Sequence, residues 1–190
     1  VTPVWTSYWL YDQLDDYGYA LIDTVFFHAG NQIPDPPDII NNWSAGRGII
    51  NYRGWGNSHG WHFPEFHIAH IQELTHQWKL PVVSSFVCNT GDFGADLNNQ
   101  GPVKCFAEAL TTTGTLNNPQ GAVAVIGPSD LDTDTRYNNV ICGNYWRALL
   151  HGETAELGSA LHIGKQSLID EFPQLAGSGD VVEFYHHIYS

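Results

Sequence analysis

Residues 82–93 read V-V-S-S-F-V-C-N-T-G-D-F, and residues 51–61 read N-Y-R-G-W-G-N-S-H-G-W. Each continues or contains an apolar, β-favouring run that breaks off in a glycine-bearing turn, the second being led by Ile49 and Ile50. Short apolar runs bounded by turn residues read as buried strands. Strands that end in glycine turns present side chains and backbone amides at the carboxyl edge of a parallel sheet. One of these turns carries Cys88 and the other carries Trp55 and His59. The pair therefore points to an α/β fold with a mainly parallel sheet and a reactive edge.

Working outward, residues 8–17 suit a short aromatic-rich helix ended near Gly18, and residues 19–27 (Y-A-L-I-D-T-V-F-F) read as a strand. Residues 31–37 are turn-rich. Pro36-Pro37-Asp38 opens a helix to about Ala45, closed by Gly46. Residues 48–52 form the next strand. Ile68, Ile71, Leu74 and Trp78 recur at helical spacing, which predicts an amphipathic helix over 64–78. Residues 82–87 and 121–126 (G-A-V-A-V-I) complete four strands, expected to be adjacent and parallel. Helices are predicted over 104–111, 138–151 and 154–172, and residues 181–189 suit either a helix or a last strand.

Composition narrows the class. At 190 residues the chain is one domain, residues 1–190, with 43% hydrophobic and 13% aromatic residues, enough to fold around a core without staples. Seven basic against twenty acidic residues give a net charge of −13, which argues against nucleic acid or an anionic membrane as partner. No apolar run approaches the roughly 18 residues of a membrane span. The sequence has no methionine, so it reads as a processed piece of a longer product. Three cysteines, Cys88, Cys105 and Cys142, make neither a disulfide framework nor a paired-cysteine zinc motif.

Each candidate group has an ordinary reading beside the chemical one. A cysteine at a strand end is by base rate a small core hydrophobe. The polar turn after Cys88 would instead leave the thiol at the sheet edge with backbone amides around it. Five histidines lie between His59 and His76; His67 and His70 are three apart, a conceivable metal pair without an H-E-x-x-H motif or a third ligand. No metal site is assigned, and the ordinary reading is a polar helix face. Asp130, Asp132 and Asp134 imitate the start of a calcium loop, but Thr135 stands where glycine is needed and Ile141 where a bidentate glutamate is needed. If that acidic loop borders the site, it would receive a basic substrate side chain. Trp55 and Trp61 flank the first turn, as cleft-rim platforms for a peptide or as caps on the core.

The ordered blocks N-Y-R-G-W-G, L-P-V-V-S-S-F-V-C-N-T-G-D-F, K-C-F-A-E-A-L and G-A-V-A-V-I-G-P-S resemble the catalytic half of the gingipain-type cysteine peptidases, family C25 of the caspase-like clan. The resemblance runs from about Tyr8 to Asn139. It implies a caspase-like three-layer α/β/α sandwich, secretion or a cell-surface location, and a peptide or protein substrate. Other parts of the same precursor are implied as partners, because the family's preceding half-domain is missing here. No cofactor is required for the chemistry, and a structural calcium ion would be in keeping with the family. By position, Cys88 matches the nucleophile and Gly56 the glycine whose amide joins that of Cys88 in the oxyanion hole. The family's histidine sits in a G-H-G turn that reads Gly54-Trp55-Gly56 in this chain. Trp55 cannot carry a proton, so His59, followed by Gly60, is the expected substitute base, with His62 as the alternative. Two functions follow: a secreted cysteine endopeptidase working through a Cys88 acyl-enzyme, or a degenerate domain, its former site plugged by Trp55, kept for binding or extracellular assembly.

Overall fold

A computed structural model describes residues 2–27, 36–94, 103–174 and 180–189. In chain order the elements are helix α1 (Thr2–Tyr17), α2 (Pro36–Ser44), strands β1 (Ile49–Arg53), β2 (Gly56–Asn57), β3 (Gly60–His62) and β4 (Glu65–His67), a 3-10 helix (Ile68–Glu73), β5 (Val82–Phe86), α3 (Phe106–Thr112), β6 (Gly114–Thr115), β7 (Asn118–Pro119), β8 (Ala124–Ile126), α4 (Thr135–Leu150), α5 (Leu157–Glu171) and α6 (Asp180–Ile188). They divide into two compact units, Asp23–Leu131 and Val1–Ile22 with Asp132–Ser190.

The first unit is built on a parallel sheet in the order β1-β5-β8. Ile49 pairs with Val82 and Arg53 with Phe86, while Val82 to Ser84 pair with Ala124 to Ile126. Three of the four expected strands are thus adjacent and parallel. A second, antiparallel sheet, β2-β3-β4, follows β1 directly. The core between these layers is aromatic. Trp43 of α2 stacks on Phe66 at 5.1 Å and Tyr52 stacks on Trp61 at 4.5 Å. Each such buried ring contributes about 1.5–3 kcal/mol by leaving water. α3 packs against β8 and the 3-10 helix, and α2 against β4 and the same 3-10 helix.

Two expected elements take another form. Residues 19–27 form no strand. Tyr19, Leu21, Asp23 and Thr24 stay exposed, and Asp23 accepts a 2.5 Å bond from the Arg47 guanidinium. β-favouring residues need a neighbour and a face to bury, and this run meets neither along most of its length. The helix expected over 64–78 is instead β4, the 3-10 helix and an irregular stretch ending in a turn at 77–78. Ile68, Ile71 and Leu74 recur every third residue, which is the 3-10 period, and Glu65-Phe66-His67 is drawn into pairing with β3. The turn expected over 31–37 falls mostly outside the described residues.

The second unit is helical. α4 packs on α1 and α5, and α5 on α6, so residues 181–189 resolve as helix. Asp134 caps α4 by accepting the Arg136 amide at 2.9 Å. A side chain at Gly164 would stand 2.7 Å from the Ile141 carbonyl, so only glycine permits this close approach of α5 to α4. Tyr189 donates to Asn138 at 2.6 Å, tying α6 to α4. No helix among the described residues is long and apolar enough to cross a membrane.

Candidate active site

β1 and β5 leave the sheet at the same level. Arg53 pairs with Phe86, and Trp55 and Cys88 each stand two residues farther along. The turn after β5 is tied down on every side. Asn89 adopts a left-handed φ of 52° and is buried, its amide donating to the Asp130 carbonyl at 2.9 Å. The Gly91 amide donates to the Pro128 carbonyl at 2.8 Å, and the Ala107 amide at the start of α3 donates to the Thr90 carbonyl at 2.9 Å. The Thr90 hydroxyl and the Trp61 indole N–H both donate to the Ser85 hydroxyl oxygen, at 3.0 and 2.9 Å. These bonds satisfy the polar groups that the turn buries. Cys88 itself is half-buried, and none of the three cysteines is in a disulfide. Cys105 and Cys142 are buried, and burial pushes the Cys105 thiol up.

The turn after β1 is held at the Trp55 carbonyl by two donors, the Tyr52 hydroxyl and the His62 amide. Tyr52 donates to the Trp55 carbonyl at 2.7 Å and contacts the Phe63 carbonyl at 3.2 Å. Burial pushes its phenol up to about 12, so it remains a neutral donor. The Trp55 indole is 71% exposed. Gly56 pairs with Trp61 and approaches β5 closely: a Cβ there would lie 2.7 Å from the Gly60 carbonyl oxygen and 3.3 Å from Val87 Cγ2. The Gly54–Gly56 turn therefore abuts the residue before Cys88.

The β2–β3 hairpin closes through Ser58 and His59. Its tip is clamped: the His59 amide donates to Asn57 Oδ1 at 2.8 Å, and the His59 carbonyl accepts the Ile68 amide at 3.0 Å. The His59 side chain is exposed. Side chains alternate along these strands. Trp61 and Phe66, cross-strand partners, point into the core, so Trp61 is 2% exposed and not on a cleft rim. Its indole is drawn inward by Tyr52, Phe106 and the Ser85 bond. His62 and Glu65 form the next pair, on the opposite face, with His67 beside them. His62 Nδ1 lies 3.0 Å from His67 Nε2; His67 Nδ1 and His70 Nε2 each lie 3.9 Å from Glu65 Oε1. Burial lowers both His62 and His67 below the usual imidazole range, with Glu65 pulling the other way.

His67 and His70 do not share a helix face. His67 ends β4, and its amide donates to His70 Nδ1 at 2.9 Å. Among the described residues no group of three or more His, Cys, Asp or Glu is arranged to hold a metal ion. The imidazole–carboxylate cluster around Glu65 was hidden by the helical reading of 64–78. The alternation in G-W-H-F-P-E-F-H, with Trp61 and Phe66 inward, was the signal that would have revealed it.

The sequence pattern of peptidase family C25 matches residues 8–187. The chain belongs to peptidase family C25. Gingipain R2 of Porphyromonas gingivalis (strain ATCC BAA-308 / W83) is 34% identical over 113 residues, covering 60% of this chain and 14% of that protein. Gingipain R1 of Porphyromonas gingivalis is 31% identical over 113 residues, covering 60% of this chain and 10% of that protein. The matched stretch is thus a small part of these relatives' length. The crystal structure of the Arg-specific cysteine proteinase gingipain R superposes with a TM-score of 0.76 at 23% identity, over 89% of this chain and 38% of that one. The complex of the Porphyromonas gingivalis gingipain pro- and mature domains gives 0.72 at 25% identity, over 88% of this chain and 38% of that one. The fold of this C25 chain is therefore that of the gingipain catalytic domain, mixed α/β with a parallel sheet β1-β5-β8.

Proposed function

We propose that this C25 domain is a cysteine endopeptidase, exported as part of a larger precursor, in which the Cys88 thiolate attacks a peptide carbonyl. The reading rests on one observation. The β1–β5 register brings the Gly54–Gly56 turn and Cys88 to the same carboxyl edge, with Gly56 against Val87. An anion forming on the attacked carbonyl would be met there by the amides of Gly56 and Cys88. The thiol proton would pass to a hairpin imidazole, His59 or His62, and from there to the leaving amine. Water would then release the acyl group from Cys88 and regenerate the thiol. The Trp55 indole would serve as a platform for the bound chain. A basic residue before the cleaved bond is preferred, because Asp130 stands beside this turn, its carbonyl holding the Asn89 amide.

The test is labelling with a peptidyl acyloxymethyl ketone, read by peptide mass spectrometry. The proposal expects modification of Cys88 in the wild type, none in Cys88→Ala, and faster labelling by an arginyl than a glutamyl reagent. A second reading, binding without hydrolysis, is favoured by Trp55, which fills the family's histidine position with a group that cannot carry a proton. It would replace the first if the wild type is inert and Trp55→His restores labelling.

A further inference from the structure

We propose that His62 is the general base of the Cys88 site, and that His67, backed by Glu65, is the positioning residue that holds its ring. The inference rests on the thiol reading above and names the proton carrier that reading leaves open between two imidazoles.

The hairpin register makes the choice. Asn57 pairs with Gly60 and Gly56 with Trp61, so the next pair is Trp55 with His62. The His62 amide confirms that pairing by donating to the Trp55 carbonyl at 2.8 Å. Directly paired residues of antiparallel strands project from the same face, with Cβ atoms about 5 Å apart. His62 therefore emerges beside the position where the family carries its histidine. His59 lies at the tip, three residues earlier in the chain, with its backbone clamped on both sides.

One hydrogen bond and one ion-pair contact then favour a single pair of tautomers. Ionised Glu65 lies 3.9 Å from His67 Nδ1, an ion-pair distance, and its charge favours the tautomer with the proton on that nitrogen. His67 Nε2 is then an acceptor, and takes the His62 Nδ1–H at 3.0 Å. The two rings meet edge-on, 88° apart, an arrangement compatible with such a bond. His62 Nε2 is left with its lone pair. This is the arrangement a base needs: one nitrogen held by an orienting partner, the other open to a proton. In the reaction the Cys88 S–H proton moves to His62 Nε2. The sulfur–carbon bond forms as the thiolate attacks. The imidazolium returns the proton to the nitrogen of the breaking C–N bond. While His62 is charged, Glu65 stabilises it through His67. The other charged or titratable groups around the pair are His59 at the tip and His70, whose Nε2 also faces Glu65 at 3.9 Å. Positive charge on His59 opposes protonation of His62, and positive charge on His70 opposes that of His67.

The experiment is the pH dependence of alkylation of Cys88 by iodoacetamide in the full chain, read by mass spectrometry at that residue. A thiol coupled to an imidazole is alkylated well below the ordinary thiol pKa of about 8.5 and gives a low-pH shoulder. The expected result is such a shoulder in the wild type and in His59→Gln. In His62→Gln the rate near pH 6 should fall about tenfold or more. In His67→Gln and Glu65→Gln the shoulder should survive but with its midpoint displaced, which loss of mere packing would not produce. A single rise near the ordinary thiol value in wild type, a shoulder that persists in His62→Gln, or one that vanishes in His59→Gln would overturn the inference. The peptidyl label separates this inference from the reading beneath it. Coupling to His62 without peptidyl labelling keeps His62 and removes the peptidase. Unchanged peptidyl labelling in His62→Gln keeps the peptidase and removes His62.

Discussion

Two turns leave the parallel sheet side by side, and they are built differently. The turn after β5 is buried and cross-tied: Asn89, Thr90 and Asp92 are enclosed, and the backbones of Asn89, Thr90 and Gly91 are bonded to the loop after β8 and to the start of α3. The turn after β1 is held at one carbonyl, that of Trp55, by the Tyr52 hydroxyl and the His62 amide, and its central residue turns its indole to solvent. The first turn carries the Cys88 thiol, and the second carries the indole of Trp55, which cannot carry a proton. A rigid, bonded turn cannot exchange residues without losing its shape. An exposed turn position, whose side chain bears no structural load, can change function at little cost in stability.

The sharpest way to break this contrast is at Cys88. Cys88→Ala should remove all peptidyl labelling while leaving the melting temperature within a few degrees of wild type; residual labelling would move the chemistry to another residue. Next is the rigidity of the thiol turn. A Cβ at Gly91 would stand 2.6 Å from the Gly127 carbonyl oxygen, backbone against backbone. Gly91→Ala should therefore cost about 1–3 kcal/mol in urea unfolding. The opposite turn should respond less: Tyr52→Phe leaves the Trp55 carbonyl with one fewer donor and should cost about 1 kcal/mol.

The pH dependence of stability probes the burial behind the hairpin. Burial lowers His76, His62 and His67 below the ordinary imidazole value, with the Gly121 backbone pulling His76 partway back. Below about pH 6.5 the unfolded chain then binds more protons than the folded one, so stability is full above that pH and falls as the pH drops through it. His76, 2% exposed and beside Trp43, should dominate. Thermal melts from pH 7 to 5.5 should show the decline, and His76→Gln should flatten it. The smallest effect belongs to the exposed indole: Trp55→Ala should change stability by less than about 0.5 kcal/mol. A larger loss would mean that the β1 turn is as structural as its neighbour.

Much of the frame was legible before any coordinates. Ile49–Arg53, Val82–Phe86 and Ala124–Ile126 are strands because their mainly apolar runs are short and closed by glycine or polar turns, a local pattern that buried parallel strands produce. Residues 19–27 carry the same composition and form no strand, since composition does not report whether a neighbouring edge exists. Residues 64–78 misled for a related reason: three apolar residues spaced by three fit a 3-10 turn as well as an α-helix, and pairing with β3 decided the matter.

The site divides along the same line. Sequence by itself determined the family, the three parallel strands, the thiol at the end of one of them and the tryptophan in the glycine-flanked turn after another, because each is written in contiguous residues. Tertiary structure alone decided that Trp61 is core and that His62, His67 and Glu65 share one face of a hairpin. It alone decided that Trp55 and Cys88 leave the sheet level with one another. Those facts depend on register between strands, and register is set by which faces find a core to bury, a property of the folded whole that no single segment carries.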